Sequence, residues 1–208
     1  MKLALFGTSG LADEAAHLGM ELGYSKAVLI HPADPCPSGG AFHTVPEDEI
    51  ERLVTEGYRF AIAIGDPRIR QRLHACYPDL PYTSLVHPSA TLPAAQRALL
   101  PAKPGNIIMA GVRFTSSISY GRFGIYNPNC TVSHDCEIGD YATIGPGANL
   151  CGNVRLRDGV YVGAGAVILP GHPVLGKLTL GDNAIIGAGA VVTRSVPARS
   201  TVKGNPAR

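Results

Sequence analysis

Charged side chains are scarce in this sequence, and no part of it carries a run of one sign. Asp, Glu, Lys and Arg make up 16% of the 208 residues, and 18 basic against 16 acidic residues leave a formal net charge of +2. The Lys and Arg residues are spread among the acidic ones. Proteins that bind nucleic acid usually present a clustered basic face. The composition therefore argues against nucleic acid as a partner.

Paired cysteines and long apolar runs are also missing. The five cysteines form no Cys-x-x-Cys pair and no metal-ligand spacing, which favours a reducing compartment and no bound metal. No stretch reaches the roughly 20 apolar residues that span a bilayer. Residues 2–6 lead directly into Gly7, without a charged leader and long apolar core. We therefore expect a cytoplasmic protein that does not insert into membranes.

Glycine and proline, by contrast, are abundant, and the second half of the chain is periodic. The sequence has 25 Gly and 17 Pro, which suits short strands joined by turns. From residue 108 onward every sixth residue is apolar or aromatic. This series is Ile108, Phe114, Tyr120, Tyr126, Val132, Ile138, Ile144, Leu150, Leu156, Val162, Ile168, Val174, Leu180, Ile186 and Val192.

A second series, two residues before the first, holds mostly small or β-branched side chains such as Cys130, Ala142 and Val160. Residues two apart on a strand share a face, so each hexad is predicted to be a short strand with two inward residues, followed by a corner. Three hexads make one triangular coil. A repeat too short to bury a core alone predicts a solenoid whose stacked coils share one.

The first half alternates strand-like and helix-like segments, which predicts a small parallel sheet. The predicted strands are 3–6, 27–30 and 60–64, and the predicted helices are 12–22 and 66–77. The Gly-rich turn at 7–10 could offer backbone N–H groups to an anion. It lacks the full dinucleotide fingerprint, and His31 stands where an acidic residue would be expected, so NAD is disfavoured.

Two hexads, Ile-Gly-Asp-Tyr-Ala-Thr at 138–143 and Ile-Gly-Ala-Gly-Ala-Val at 186–191, resemble the repeat of the left-handed β-helix acyltransferases. The left hand is implied by this resemblance, since parallel crossovers are otherwise right-handed. A purely structural or ice-binding rod is less favoured because the corners are irregular. The expected fold is an α/β Rossmann-like small parallel sheet followed by an all-β left-handed parallel β-helix. The predicted boundaries are 1–85 for a nucleotide-sugar-binding domain, 86–105 for a linker, 106–194 for the β-helix and 195–208 for a tail.

The resemblance extends over nearly the whole chain to the bacterial sugar acetyltransferases, which include the sialic acid O-acetyltransferase group and the nucleotide-activated amino-sugar N-acetyltransferases. It implies a homotrimer that moves acetyl from acetyl-CoA to a UDP-, GDP- or dTDP-linked amino sugar in cell-surface polysaccharide biosynthesis. The motifs that carry it are residues 7–10, 61–66, 87–90, 133–136, 152–154 and 204–207.

The family's general base falls on His134, which the repeat independently places at a corner. A neutral imidazole can take the acceptor's proton near working pH. Asp135 could orient the ring or be an ordinary solvated turn residue. By the same resemblance, Asn127 of a neighbouring protomer lies opposite His134.

Gly152 stands one coil after His134 at the same corner, where a glycine would let a donor approach the backbone. The resemblance implies that acetyl-CoA lies between protomers against Gly152, Ala164 and Ala188. It also implies a nucleotide-sugar pocket. Its residues would be Ser9, Gly10, Leu11, His31 and Gly65.

Leu11 and His31 depart from the family pattern, which commonly has His and Asp at these two positions. The departures leave the sugar nucleotide open. O-acetylation of sialic or a related nonulosonic acid is the alternative activity. An inactive sugar-nucleotide-binding or assembly module is a second alternative, favoured by Leu11 and His31 and disfavoured by His134 and Gly152.

Residues 172–177, His-Pro-Val-Leu-Gly-Lys, interrupt the repeat. We predict a six-residue loop that leaves the coil at the His134 corner, borders the acetyl-CoA site and brings Lys177 near the phosphates. The alternative is a full hexad within the coil, with Val174 pointing inward.

Overall fold

The computed structural model describes residues 1–32, 40–172 and 174–208. Its N-terminal part confirms the predicted small parallel sheet, which has four strands in the order β3-β2-β1-β4. The strands are β1 (Lys2–Phe6), β2 (Lys26–His31), β3 (His43–Pro46) and β4 (Tyr58–Ile62). The helices are α1 (Gly10–Glu21), α2 (Ile50–Thr55) and α3 (Pro67–Cys76), with a 3₁₀ turn at Glu47–Glu49.

The helices beside this sheet follow from local sequence. Helix α1 turns small residues toward the strands, and Gly19 packs so closely that an added Cβ would lie 2.3 Å from Leu3 Cδ2. Helix α3 begins where the Asp66 side chain accepts a hydrogen bond from the Arg68 backbone N–H and Pro67 occupies the first turn. Strand β3 and helix α2 were not predicted, because β3 buries only Val45 and shows no apolar run.

The remainder forms a solenoid of short strands after helix α4 (Ala94–Arg97) and a 3₁₀ turn at Leu100–Ala102. The strands are β5 (Leu85–Val86), β6 (Ile107–Ile108), β7 (Arg113–Phe114), β8 (Ser119–Tyr120), β9 (Ile125–Tyr126), β10 (Thr131–Val132), β11 (Glu137–Ile138), β12 (Thr143–Ile144), β13 (Asn149–Leu150), β14 (Val154–Leu156), β15 (Tyr161–Val162), β16 (Val167–Ile168), β17 (Leu178–Leu180), β18 (Ile185–Ile186), β19 (Val191–Val192) and β20 (Thr201–Val202).

These strands build three parallel sheets, one for each face of the solenoid. Strands β7, β10, β13, β16 and β19 form the first, β8, β11, β14 and β17 the second, and β5, β6, β9, β12, β15, β18 and β20 the third. The third sheet thus extends to β5 and β20, beyond the predicted limits of 106–194. No helix in the described ranges is both long and apolar enough to cross a bilayer.

The register confirms the six-residue period and the insertion. Thr131 pairs with Asn149 in the first sheet, but Val154 pairs with Leu178 in the second, a step six residues longer. The inward series is buried as predicted except for Val174, which is 85% exposed. The interpretation of 172–177 as a loop is therefore correct and the in-coil hexad is wrong, with Pro173 outside the described residues.

A buried arginine joins the N-terminal sheet to the solenoid. Arg70 on α3 is 0% exposed, and burial lowers its pKa to about 9. Its guanidinium donates to the backbone carbonyls of Phe123 (3.0 Å), Ile64 (2.8 Å), Gly65 (3.0 Å) and Ala142 (3.1 Å). Thr143 Oγ also donates to the Gly65 carbonyl, at 2.9 Å. The loop after β4 is thereby fixed against the outer face of the third sheet.

Candidate active site

His134 and Asp135 lie at the corner between β10 and β11. The His134 corner is defined here as residues 133–136, 151–153 and 169–171, which connect the first sheet to the second in successive coils. Asp135 has φ +60, a left-handed conformation that Asp tolerates at turns. His134 Nδ1 donates to Asp135 Oδ2 at 2.8 Å, and the two side chains are 62% and 56% exposed. This pairing leaves Nε2 as the nitrogen that can accept a proton.

The His134 ring lies directly over Gly152 of the next coil. An added Cβ at Gly152 would lie 2.4 Å from His134 Cε1 and 2.5 Å from Nε2. The Asn153 N–H donates to the His134 carbonyl at 2.9 Å and keeps the two coils in register. We expected the glycine to make room for a donor. In the structure it makes room for the imidazole, and donor contact at Gly152 stays a prediction.

Asn127, Ala164 and Ala188 share a different corner. The Ala164 corner is defined here as residues 127–130, 145–148, 163–166 and 187–190, which connect the third sheet to the first. Asn127 Nδ2 donates to the Ile144 carbonyl at 2.9 Å. Ala164 and Ala188 are exposed, and the Gly189 N–H donates to the Ala164 carbonyl at 2.8 Å. Because Asn127 precedes β10 and His134 follows it, one chain does not bring these two side chains to the same corner.

The candidate acceptor-binding residues gather at the carboxyl edge of the N-terminal sheet. Ser9 and Gly10 are exposed at the start of α1, and His31 ends β2. Leu11 is half-buried and packs against the apolar core beneath α1. Gly65 follows β4, held by Arg70 and Thr143 as described. In open α/β sheets, ligands bind at this edge.

Gly65 lines one of two cavities at this edge, and Thr8, Ile30 and Pro32, the chain neighbours of Ser9 and His31, line the other. One of about 330 Å³ lies at the strand ends, where Thr8, Glu47 and Arg72 provide its polar lining. The other, of about 740 Å³, lies between the start of α3 and the outer face of the third sheet. Its lining is Gly65, Asp66, Pro67, Arg68, Gln71, Gly159, Tyr161, Asn183, Ile185 and Arg199.

The larger cavity takes its lining from α3, the third sheet and adjoining turns, not from the His134 corner. Within one chain the predicted residues form three separate groups: those at the His134 corner, those at the Ala164 corner, and those at the carboxyl edge of the N-terminal sheet. Sequence reasoning missed Arg68, Gln71 and Arg199 because they follow no motif. Only the fold brings the start of α3 to the solenoid face.

The inserted loop leaves the coil at the His134 corner as predicted, but the contacts of the Lys177 side chain differ from those expected. Its ammonium donates to the Asp135 backbone carbonyl and, at 3.1 Å, to Asn153 Oδ1. Glu137 Oε1 lies 3.5 Å from Nζ. Lys177 is thus engaged beside the proposed base rather than extended toward a phosphate.

The cysteines show no catalytic environment among the residues described. Cys130 and Cys136 are buried inward residues, and burial raises the pKa of both thiols, that of Cys130 to about 12. Over the same part of the chain, no group of three or more His, Cys, Asp or Glu residues could hold a metal ion.

Comparisons with known proteins agree with this architecture. The family model of the bacterial transferase hexapeptide (six repeats) matches residues 135–170. The GDP-perosamine N-acetyltransferase of Escherichia coli O157:H7 is 42% identical over 155 residues, which cover 72% of this chain and 66% of that protein. The chain thus spans about two thirds of the length of that curated relative.

Two solved structures resemble the chain over its full length. PerB from Caulobacter crescentus, in complex with CoA and GDP-perosamine, superposes with a TM-score of 0.85 at 28% identity. The match covers 100% of this chain and 96% of the PerB chain. The acetyltransferase domain of PglB from Neisseria gonorrhoeae FA1090, in complex with acetyl coenzyme A, gives 0.85 at 29% identity, with 100% and 98% covered. The chain belongs to the bacterial hexapeptide-repeat acyltransferases, the family that includes the nucleotide-activated amino-sugar N-acetyltransferases.

Proposed function

We propose that this protein transfers the acetyl group of acetyl-CoA to the amino group of a nucleotide-linked amino sugar, with His134 as general base. The observation that carries the proposal is the exposed His134–Asp135 pair, bonded at 2.8 Å over a glycine that leaves space for the ring. The likeness to a GDP-perosamine N-acetyltransferase supports the same chemistry and favours a GDP-linked amino sugar among the UDP, GDP and dTDP candidates.

The reaction needs one proton carrier and a well-placed acceptor. His134 Nε2 removes a proton from the acceptor nitrogen as the C–N bond to the thioester carbonyl forms. The tetrahedral intermediate then expels CoA as the C–S bond breaks, and the histidine returns the proton to the thiolate. Asp135 holds Nδ1–H and stabilises the imidazolium between the two steps. Structures of the Caulobacter enzyme include variants in which one histidine is replaced by asparagine or alanine.

The same proposal includes a left-handed solenoid and a homotrimer. Within one chain His134, Asn127 and the acceptor-binding residues form separate groups, so a neighbouring protomer has to complete the site. Acetyl-CoA would lie between protomers, along Gly152 of one and along Ala164 and Ala188 at the facing corner. Asn127 of the neighbour would lie opposite His134.

The N-terminal part, 1–85, is proposed to hold the nucleotide through Ser9, Gly10, Leu11, His31 and Gly65. The two cavities at the sheet edge and beside α3 support this placement. Residues 86–105 would act as the linker, 106–194 as the catalytic solenoid and 195–208 as its tail. A cytoplasmic location completes the proposal, since acetyl-CoA and nucleotide sugars would be drawn from there.

The test is a thiol-release assay with acetyl-CoA across UDP-, GDP- and dTDP-linked amino sugars and free sialic acid. We expect release with a GDP-linked amino sugar that disappears in His134→Asn. Release with sialic acid alone would instead support O-acetylation. Calorimetry that detects nucleotide-sugar binding but no acetyl-CoA binding would support the inactive module.

A further inference from the structure

The inserted segment turns back on itself through an antiparallel bridge between His172 and Gly176. Its described residues, His172 and 174–177, are called the hairpin here. The His172 N–H donates to the Gly176 carbonyl and the Gly176 N–H donates to the His172 carbonyl, both at 2.9 Å. His172 Nδ1 accepts from the N–H groups of Val174 and Leu175, both at 3.1 Å. The chain thus leaves and re-enters the coil without altering the stacking, and what the hairpin adds to the corner is Lys177.

Lys177 points back toward the proposed catalytic pair. Its side chain is only 19% exposed, and three acceptors surround the ammonium: the Asp135 carbonyl, Asn153 Oδ1 and Glu137 Oε1. An ammonium has three N–H donors. Because three protein acceptors already surround it, a phosphate would have to displace one of them.

The contact falls on the residue that orients the base. Asp135 is in a left-handed conformation, and its side chain accepts from His134 Nδ1 while its carbonyl accepts from Lys177. A hydrogen bond between two side chains as exposed as those of His134 and Asp135 does little by itself to fix the orientation of the ring, because water competes for both groups. A charged hydrogen bond to the Asp135 backbone fixes the peptide from which that carboxylate projects.

We propose that Lys177 is a positioning residue, which the inserted hairpin places so that Asp135 holds the His134 ring in its reactive orientation. The inference rests on the proposed function, because it assigns the His134–Asp135 pair to proton transfer. Lys177 itself lies outside the hexapeptide pattern.

Kinetics of Lys177→Met and Lys177→Arg provide the first test. In Lys177→Met, kcat at saturating substrates should fall by roughly tenfold or more, because displacing a catalytic group by about 1 Å can cost about 100-fold. The KM for acetyl-CoA should stay within about twofold, and Lys177→Arg should recover part of kcat. A raised KM for acetyl-CoA with unchanged kcat would overturn the proposal in favour of a phosphate contact.

A double-mutant cycle tests whether Lys177 acts through Asp135. Once Asp135→Ala has removed the orienting carboxylate, adding Lys177→Met should lower kcat by no more than about twofold. An equal loss in both backgrounds would overturn the proposal. If Lys177→Met does not fold, Lys177→Gln keeps a donor without the charge and takes its place.

Ring-nitrogen NMR of His134 separates this inference from the proposed function. The signal is assigned from its absence in His134→Asn, and the parent should show the Nδ1–H tautomer. In Lys177→Met the shifts should move toward those of a free histidine, with Lys177→Arg in between, whether or not the protein turns over. Unchanged ring shifts in Lys177→Met would overturn the positioning role even if His134 proves to be the base.

Discussion

The His134 corner and the Ala164 corner are built from the same hexapeptide repeat, yet their side chains differ sharply. At the Ala164 corner small residues stack because a Cβ on Gly145 or Gly163 would lie 2.6 or 2.5 Å from the backbone nitrogen of the next coil. At the His134 corner a histidine, an aspartate, an asparagine and a lysine meet. In the coils after that of Asn127, the repeat thus presents mainly small residues at the Ala164 corner, whereas polar side chains and an insertion depart from the pattern at the His134 corner.

The largest effect is expected at the His134 corner. His134→Ala should lower kcat by about 10²–10⁴-fold, the usual cost of losing a general base. The acetyl-CoA Kd should change little, since the ring acts on the acceptor. Steady-state kinetics at saturating substrates and calorimetry measure the two quantities. A kcat within a few-fold of the parent would assign proton removal to solvent.

Gly152→Ala should disturb the same corner through sterics alone. The added methyl would overlap the His134 ring, and a shift of about 1 Å can cost about 100-fold in rate. Donor affinity should fall less than kcat. Gly40→Ala is the control, because the nearest atom to its added Cβ is 3.9 Å away. A kcat of Gly152→Ala equal to that of the control would contradict the packing of ring on glycine.

Substitutions at the Ala164 corner should change KM for acetyl-CoA rather than kcat. Ala164→Leu or Ala188→Leu places a larger exposed side chain on the wall where acetyl-CoA is proposed to lie. We expect KM for acetyl-CoA to rise by roughly tenfold while kcat at saturation stays near the parent value, the signature of lost uniform binding. A fall in kcat without a change in KM would exchange the roles of the two corners.

The smallest expected effect is on the free energy of unfolding and concerns Glu137, beside the His134 corner. The hydrogen bond from Arg155, with a lesser contribution from Lys177, holds the pKa of Glu137 below its ordinary value. A lowered carboxyl pKa stabilises the fold above the ordinary pKa, and this is lost as pH falls through the lowered value.

Glu137→Gln should therefore lower the free energy of unfolding at neutral pH by less than about 1 kcal/mol, because the pair is largely exposed. The difference from the parent should shrink on acidification, as measured by denaturant unfolding at several pH values. Glu14→Gln on the exposed face of α1 is the control. A larger difference at low pH than at neutral pH would contradict the sign.

The solenoid could be predicted from sequence because its period ties each inward side chain to a fixed position. The one wrong assignment, Val174, fell within the insertion, where the apolar residue matches the period by coincidence. The edge strand β3 was not predicted because it buries a single residue. His134 was assigned from the family resemblance and Gly152 from its spacing of one coil. The position of the ring above the glycine and the contact between Lys177 and Asp135 depend on side-chain directions, which neither gives.

The His134 corner is proposed to acetylate an amine on a nucleotide-linked sugar. Incubating parent and His134→Asn proteins with acetyl-CoA and a GDP-linked amino sugar, then locating the acetyl group by NMR, tests it directly. We expect one acetyl on the amino nitrogen with the parent and an essentially unmodified acceptor with the variant. An acetyl on a hydroxyl, or equal N-acetylation by both proteins, would contradict it.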